Sequence, residues 1–137
     1  MSRPRVLLAD DYPDIVNAVS RLLAVDCEIV GSVADGYALL QTAHRLQPDV
    51  IVLDVNLRNV DTLRACREIT RMNPHTKVIM FTAMDGSGVS HAFIEAGASA
   101  FVSKLAAVDL LATIRRLCLD EAYTRKKPPC VVTRALG

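Results

Sequence analysis

At 137 residues, 51% of them hydrophobic, the chain can bury one ordinary core and leaves no room for two full domains. The formal net charge is +1, and residues 1–119 hold 12 basic and 13 acidic side chains, so this part offers no broad basic face to nucleic acid. No apolar run reaches the length of a bilayer and no leader precedes the first strand-like run, which predicts a cytoplasmic chain with no membrane contact.

Arg5-Val-Leu-Leu-Ala9 reads as a first strand. It stops at Asp10-Asp11-Tyr12-Pro13-Asp14, where Pro13 suits a first helical turn and the acidic residues suit the positive end of the helix dipole. Ile15, Val19, Leu22 and Leu23 share one helical face, with Val16 beside it. Glu28 to Val33 reads as a second strand, and Asp35-Gly36 turns into a helix striped by Ala38, Leu39, Ala43 and Leu46 that Pro48 ends. Val50-Ile-Val-Leu53 is apolar on both faces and therefore central. Leu63, Cys66, Ile69 and Thr70 mark a third helix, ending before Asn73-Pro74.

Lys77 to Phe81 is a fourth strand, followed by a Gly86/Gly88 loop and a weak helix over Val89, Phe93 and Ala96, with Gly97 as its C-cap. Ala100-Phe-Val102 is a short fifth strand. Val108, Leu111, Ile114 and Cys118 form the stripe of a last helix, with Leu110 and Leu117 beside it. Lys126-Lys-Pro-Pro129 opens no periodic segment, so residues 1–119 are expected to fold and 120–137 to form a linker or tail. Five strands alternating with five helices, and the right-handed crossover rule, predict an α/β doubly wound five-stranded parallel sheet.

Four strand ends of that sheet carry chemistry. Asp10 and Asp11 follow the first strand, Asp54 the third, Thr82 the fourth, and Ser103-Lys104 the fifth. Ligands collect at the carboxyl ends of strands in open α/β sheets. Three carboxylates on one rim repel one another unless a cation joins them, and Mg²⁺ suits a few carboxylates plus phosphate oxygens. If Asp54 accepts a phosphoryl group, Lys104 can pair with one of its oxygens and the Thr82 hydroxyl can bond another. Taken singly, Asp10 and Asp11 are more often helix caps, Thr82 a strand-end hydroxyl and Lys104 a solvated lysine. The ordered set decides between these readings.

Val6-Leu-Leu-Ala-Asp-Asp11, Pro48-Asp-Val-Ile-Val-Leu-Asp54, Val78-Ile-Met-Phe-Thr-Ala83, Glu95-Ala-Gly-Ala98 and Ala100-Phe-Val-Ser-Lys104 together are a specific pattern. Over roughly residues 4–119 the chain resembles the receiver domains of two-component response regulators, nearest to the branch with a C-terminal helix-turn-helix. The resemblance implies a flavodoxin-like (βα)₅ fold, with Asp54 as phosphoacceptor and Mg²⁺ held by Asp10, Asp11, Asp54 and the backbone carbonyl of Asn56. It implies that Lys104 contacts the phosphoryl group, that Thr82 swings toward it, and that Phe101 turns inward as Thr82 moves. That motion would alter the face of the fourth helix, fifth strand and fifth helix, a possible homodimer surface. The donor would be a histidine kinase or phosphotransfer protein, and DNA would be met by an effector domain outside this chain. Such a domain is a signalling switch and not an enzyme.

The pattern has departures. Arg58 stands where the family usually has Pro and Thr62 where it has Gly, which predicts a less constrained loop around Asn56. Leu105 replaces a common Pro, so the cis bond found there is expected to be absent, and Met84 could shield a phosphoaspartate from water. The Arg58/Thr62 loop slightly favours an alternative, a phosphorylation-independent pseudo-receiver acting as an interaction module, while the intact set of Asp10, Asp11, Asp54, Thr82 and Lys104 argues against it. An aspartyl phosphohydrolase is disfavoured because Asn56 stands where its second Asp belongs. A flavin binder is disfavoured because the first loop lacks phosphate-cradling Ser, Thr and Gly. Cys27, Cys66, Cys118 and Cys130 show no C-x-x-C or metal-ligand spacing, and the first three read as buried free thiols. His44, His75 and His91 share no ligand spacing and read as surface residues; Arg115 and Arg116 fall on the outer side of the last helix, solvated or paired with a second copy.

Overall fold

The computed structural model describes residues 3–83, 90–118 and, as backbone, 131–133. The elements alternate as β1 (Arg5–Ala9), α1 (Pro13–Leu23), β2 (Glu28–Val33), α2 (Gly36–Leu46), β3 (Val50–Asp54), α3 (Thr62–Met72), β4 (Lys77–Thr82), α4 (Ser90–Glu95), β5 (Ala100–Ser103), α5 (Asp109–Cys118) and β6 (Val131–Thr133). All neighbouring strands are parallel, in the order β2-β1-β3-β4-β5-β6. The chain winds one way from β1 to β2 and the other way from β3 onward. β1 and β3 therefore flank the reversal point, where an open sheet leaves a crevice at its carboxyl edge.

Period-two alternation splits the apolar side chains into two layers. Leu7, Ile51, Leu53, Val78, Met80 and Phe101 face α2, α3 and α4. Val6, Leu8, Val52, Ile79, Phe81 and Val102 face α1 and α5. β3 is buried at all five positions, as its unbroken apolar run predicts. Gly97 ends α4 with φ +107, and an added Cβ there would fall within 3.0 Å of Thr70.

Three sequence expectations are corrected. Val108 is not on the buried stripe of α5; it is 71% exposed, and the stripe is Leu110, Thr113, Ile114 and Leu117. The cause is the 3₁₀ turn Lys104–Ala106 after β5, which delays the helix to Asp109 and shifts its inward face by one position. Residues 131–133, expected to be linker or tail, run as β6 along β5, Ala100 to Val131 and Val102 to Thr133. The outer edge of β5, part of the face expected to serve a homodimer, is thus paired within the chain. Arg115 forms an ion pair with Asp26 of the same chain. His44, His75 and His91 are exposed, Cys27 and Cys66 are buried, and Cys118 is half-buried. Met84, Val89, the Gly86/Gly88 loop and Cys130 lie outside the described residues.

Candidate functional site

Backbone register brings the site together. Leu8 aligns with Val52 and Ala9 with Leu53, so Asp10 leaves β1 beside Asp54, the last residue of β3. The Asp10 amide donates to the Val33 carbonyl at 3.1 Å and the Val55 amide donates to the Phe81 carbonyl at 3.0 Å, so both neighbouring ladders continue past the aspartates. Asp10, Asp11 and Asp54 each present a carboxylate oxygen, all within 4.8 Å of one another. Asp10 and Asp54 are buried, and Asp11 is partly so. None serves as the helix cap that a single-residue reading favours. The N-cap of α1 is Tyr12, which makes no side-chain cap, and Asp10 Oδ1 instead accepts from the Tyr12 amide at 3.0 Å.

Lys104 closes the cluster from the β5 side. Ser103 caps the 3₁₀ turn, its Oγ accepting from the Leu105 amide at 3.1 Å, and this fixes the chain where Lys104 leaves the sheet. Its Nζ lies 2.8 Å from Asp10 Oδ2 and 3.4 Å from Asp54 Oδ1, with the rings of Tyr12 and Phe81 each 5.6 Å away. Burial pushes the Asp54 carboxyl above the usual carboxylate range. The Asn56 amide, donating to Oδ1 at 3.1 Å, and the Lys104 charge pull it back, while Asp10 raises it. Asp11 Oδ1 is buried with no hydrogen-bond partner. A buried, unpartnered carboxylate oxygen within an oxygen-only cluster fits a small hard cation, so these three residues could hold a divalent ion.

Thr82 ends β4 one residue past Phe81, the register partner of Asp54. Met80 pairs with Phe101 and Thr82 with Ser103, so alternation puts Thr82 and Phe101 on the α4 side of the sheet. Phe101 is buried, its ring centroid 6.0 Å from that of Phe93 on α4 and inclined at 55°. Asp10, Asp11, Asp54, Thr82 and Lys104 thus stand at one end of four strands, with Phe101 buried beneath them and Asn56 joined to Asp54 through its amide.

The match of a family model described as the response regulator receiver domain runs over residues 6–115. The chain belongs to that family. It is 30% identical over 122 residues to response regulator GacA of Pseudomonas viridiflava, across 87% of this chain and 57% of that protein. It is 32% identical over 102 residues to the nitrate/nitrite response regulator protein NarP of Escherichia coli, across 73% and 47%. A LuxR-family two-component response regulator from an Aurantimonas species superposes with a TM-score of 0.77 at 26% identity, over 83% of this chain and 84% of that one. The chain spans about half the length of the curated relatives it matches. Response regulators are signalling proteins, and among the described residues no helix is long and apolar enough to cross a membrane.

In this receiver domain the loop from β3 to α3 is not loosened by Arg58 and Thr62. The Thr62 hydroxyl donates to the Val55 carbonyl at 2.7 Å, Leu57 is buried, and the Gly36 amide donates to the Arg58 carbonyl at 2.8 Å. Gly36 is required there: a Cβ would collide with the Val60 side chain and come within 2.8 Å of the Asn59 carbonyl oxygen. Asn59 takes the left-handed turn, at φ 59, that a glycine would otherwise supply. Sequence reading missed one residue at the site, Arg58, whose Nε lies 2.8 Å from Asp11 Oδ2. Its four-residue offset from Asp54 marked it as unusual, but nothing local pointed to Asp11. At the other departure the bond before Leu105 is trans, as expected.

Proposed function

We propose that this receiver domain takes a phosphoryl group on Asp54, assisted by Mg²⁺ at Asp10, Asp11, Asp54 and the Asn56 backbone carbonyl. The observation that carries the reading is the gathering of three carboxylates within 4.8 Å, two of them buried, under a lysine that touches two of them. A bound Mg²⁺ would neutralise charge on the phosphoryl oxygens during transfer. The Asp54 carboxylate forms the new bond to phosphorus as the bond to the donor imidazole nitrogen breaks, and the departing imidazole takes a proton from solvent. Lys104, freed from Asp10 and Asp54, pairs with a phosphoryl oxygen. The Thr82 hydroxyl bonds a second oxygen, and its motion is felt by Phe101 and, through Phe93, by α4. The output is then a change in the α4-β5-α5 face.

The donor in this reading is a histidine kinase or phosphotransfer protein. A Pseudomonas aeruginosa relative described as a putative transcriptional regulator supports a transcriptional output, which in this reading runs through a DNA-binding domain outside this chain. Incubation with Mg²⁺ and acetyl phosphate, followed by intact mass spectrometry, tests the reading. One added phosphoryl group is expected on the native chain and none on Asp54→Asn or without Mg²⁺. Labelling of Asp54→Asn at the native rate would sink the assignment. No adduct on the native chain would turn the reading to a phosphorylation-independent interaction module.

A further inference from the structure

Arg58 carries a charge that its backbone role does not need. The loop is fastened through main-chain groups: the Arg58 carbonyl accepts from Gly36, and residues Asp35 and Arg58 form a parallel bridge. The guanidinium nevertheless turns back over the rim to Asp11 Oδ2, at 2.8 Å, leaving Asp11 Oδ1 buried without a hydrogen-bond partner. The Arg58 side chain is 76% exposed while that of Asp11 is 13% exposed, so the cation is hinged in water over a sheltered carboxylate. Lys104 enters the same cluster from the β5 side. Two cations, one sheltered and one mostly solvated, thus stand against the three carboxylates.

From this geometry we infer that Arg58 is a built-in competitor of the divalent cation, setting its affinity below that of the bare carboxylate cluster. The inference rests on the reading of Asp10, Asp11 and Asp54 as the cation site. A divalent ion that draws on Asp11 must take a carboxylate already held by a guanidinium or share it at the cost of close positive charges. Because the guanidinium is mostly solvated, it can swing away, so it acts as a competitor and not as a block. Release of Arg58 would also remove one tie between the β3–α3 loop and the end of β1. Arrival of the cation is thereby coupled to the freedom of that loop.

Titration of the full chain with MgCl₂ by isothermal calorimetry tests this, using Arg58→Met, which keeps the aliphatic stem, and Arg58→Lys, which keeps a charge without the fork. At low ionic strength Arg58→Met is expected to lower the Mg²⁺ Kd by roughly three- to tenfold, with Arg58→Lys in between. The ratio should shrink toward one in about 0.5 M NaCl as screening weakens the ion pair. Melting without Mg²⁺ separates loss of fold from loss of competition, and Arg58→Gln is read in the same way if Arg58→Met unfolds. Binding by the native chain with an equal or higher Kd in the folded variants overturns the competitor role alone. No Mg²⁺ heat from any of the proteins overturns the cation site and the competitor with it.

Discussion

Along β3, Val50 to Leu53 are buried and meet apolar neighbours on both faces of the sheet, whereas Asp54, the next residue, is as deeply buried and carries a carboxylate. The same contrast holds on β1, where Val6 to Ala9 are apolar and Asp10 follows. Inside the sheet, burial and hydrogen bonding agree and every residue adds to stability. At the carboxyl rim they conflict: carboxylates are crowded, one oxygen of Asp11 has no hydrogen-bond partner, and burial lifts the Asp54 carboxyl. A protein keeps such a conflict where a ligand will resolve it. Substitutions in the two regions should therefore move stability in opposite directions.

The largest effect is expected inside. Leu110 is fully buried on the α5 stripe, and Leu110→Ala should cost about 2–5 kcal/mol, measured by urea denaturation. A loss as small as that of Val108→Ala would return the inward face of α5 to the phase read from the sequence. A smaller effect of opposite sign is expected at the rim. Asp54→Asn removes one of three crowded charges and should raise the melting temperature in EDTA, while adding Mg²⁺ should favour the native chain and narrow the gap. A variant that melts lower than the native chain in EDTA would show that Lys104 already satisfies the cluster.

The smallest effect at neutral pH concerns Cys118, whose thiol burial pushes up to about 12, helped by Asp49 and Cys27 and opposed by Lys77. A raised thiol contributes stability that is present in full below the ordinary thiol range. That contribution is lost as pH climbs from about 9 toward 12. Cys118 should therefore resist iodoacetamide at pH 8.5, where a free thiol reacts, as read by peptide mapping. Alkylation at the free-thiol rate would place it outside the packed layer.

The strands, their parallel order and the charged rim were legible because each rests on a local signal: an apolar run, a β-branched palette, a polar residue at its end. The phase of α5 was not, since Leu110, Leu111, Ile114 and Leu117 fit two neighbouring stripes and only the 3₁₀ turn at Lys104 chooses between them. The firmness of the β3–α3 loop was hidden for another reason. It depends on the main-chain bond from Gly36 to Arg58 and the parallel bridge between Asp35 and Arg58, which join residues far apart in sequence. β6 was hidden too, because a strand of three residues carries too little pattern to stand out from a tail.

Locating the phosphoryl group by residue tests the central claim most directly. After reaction with acetyl phosphate and Mg²⁺, borohydride reduction converts an acyl phosphate to homoserine, and peptide sequencing by mass spectrometry finds its position. Homoserine at position 54 alone is the expected result. Homoserine at position 10 or 11, or at none of the three, would contradict the assignment of Asp54 as the acceptor.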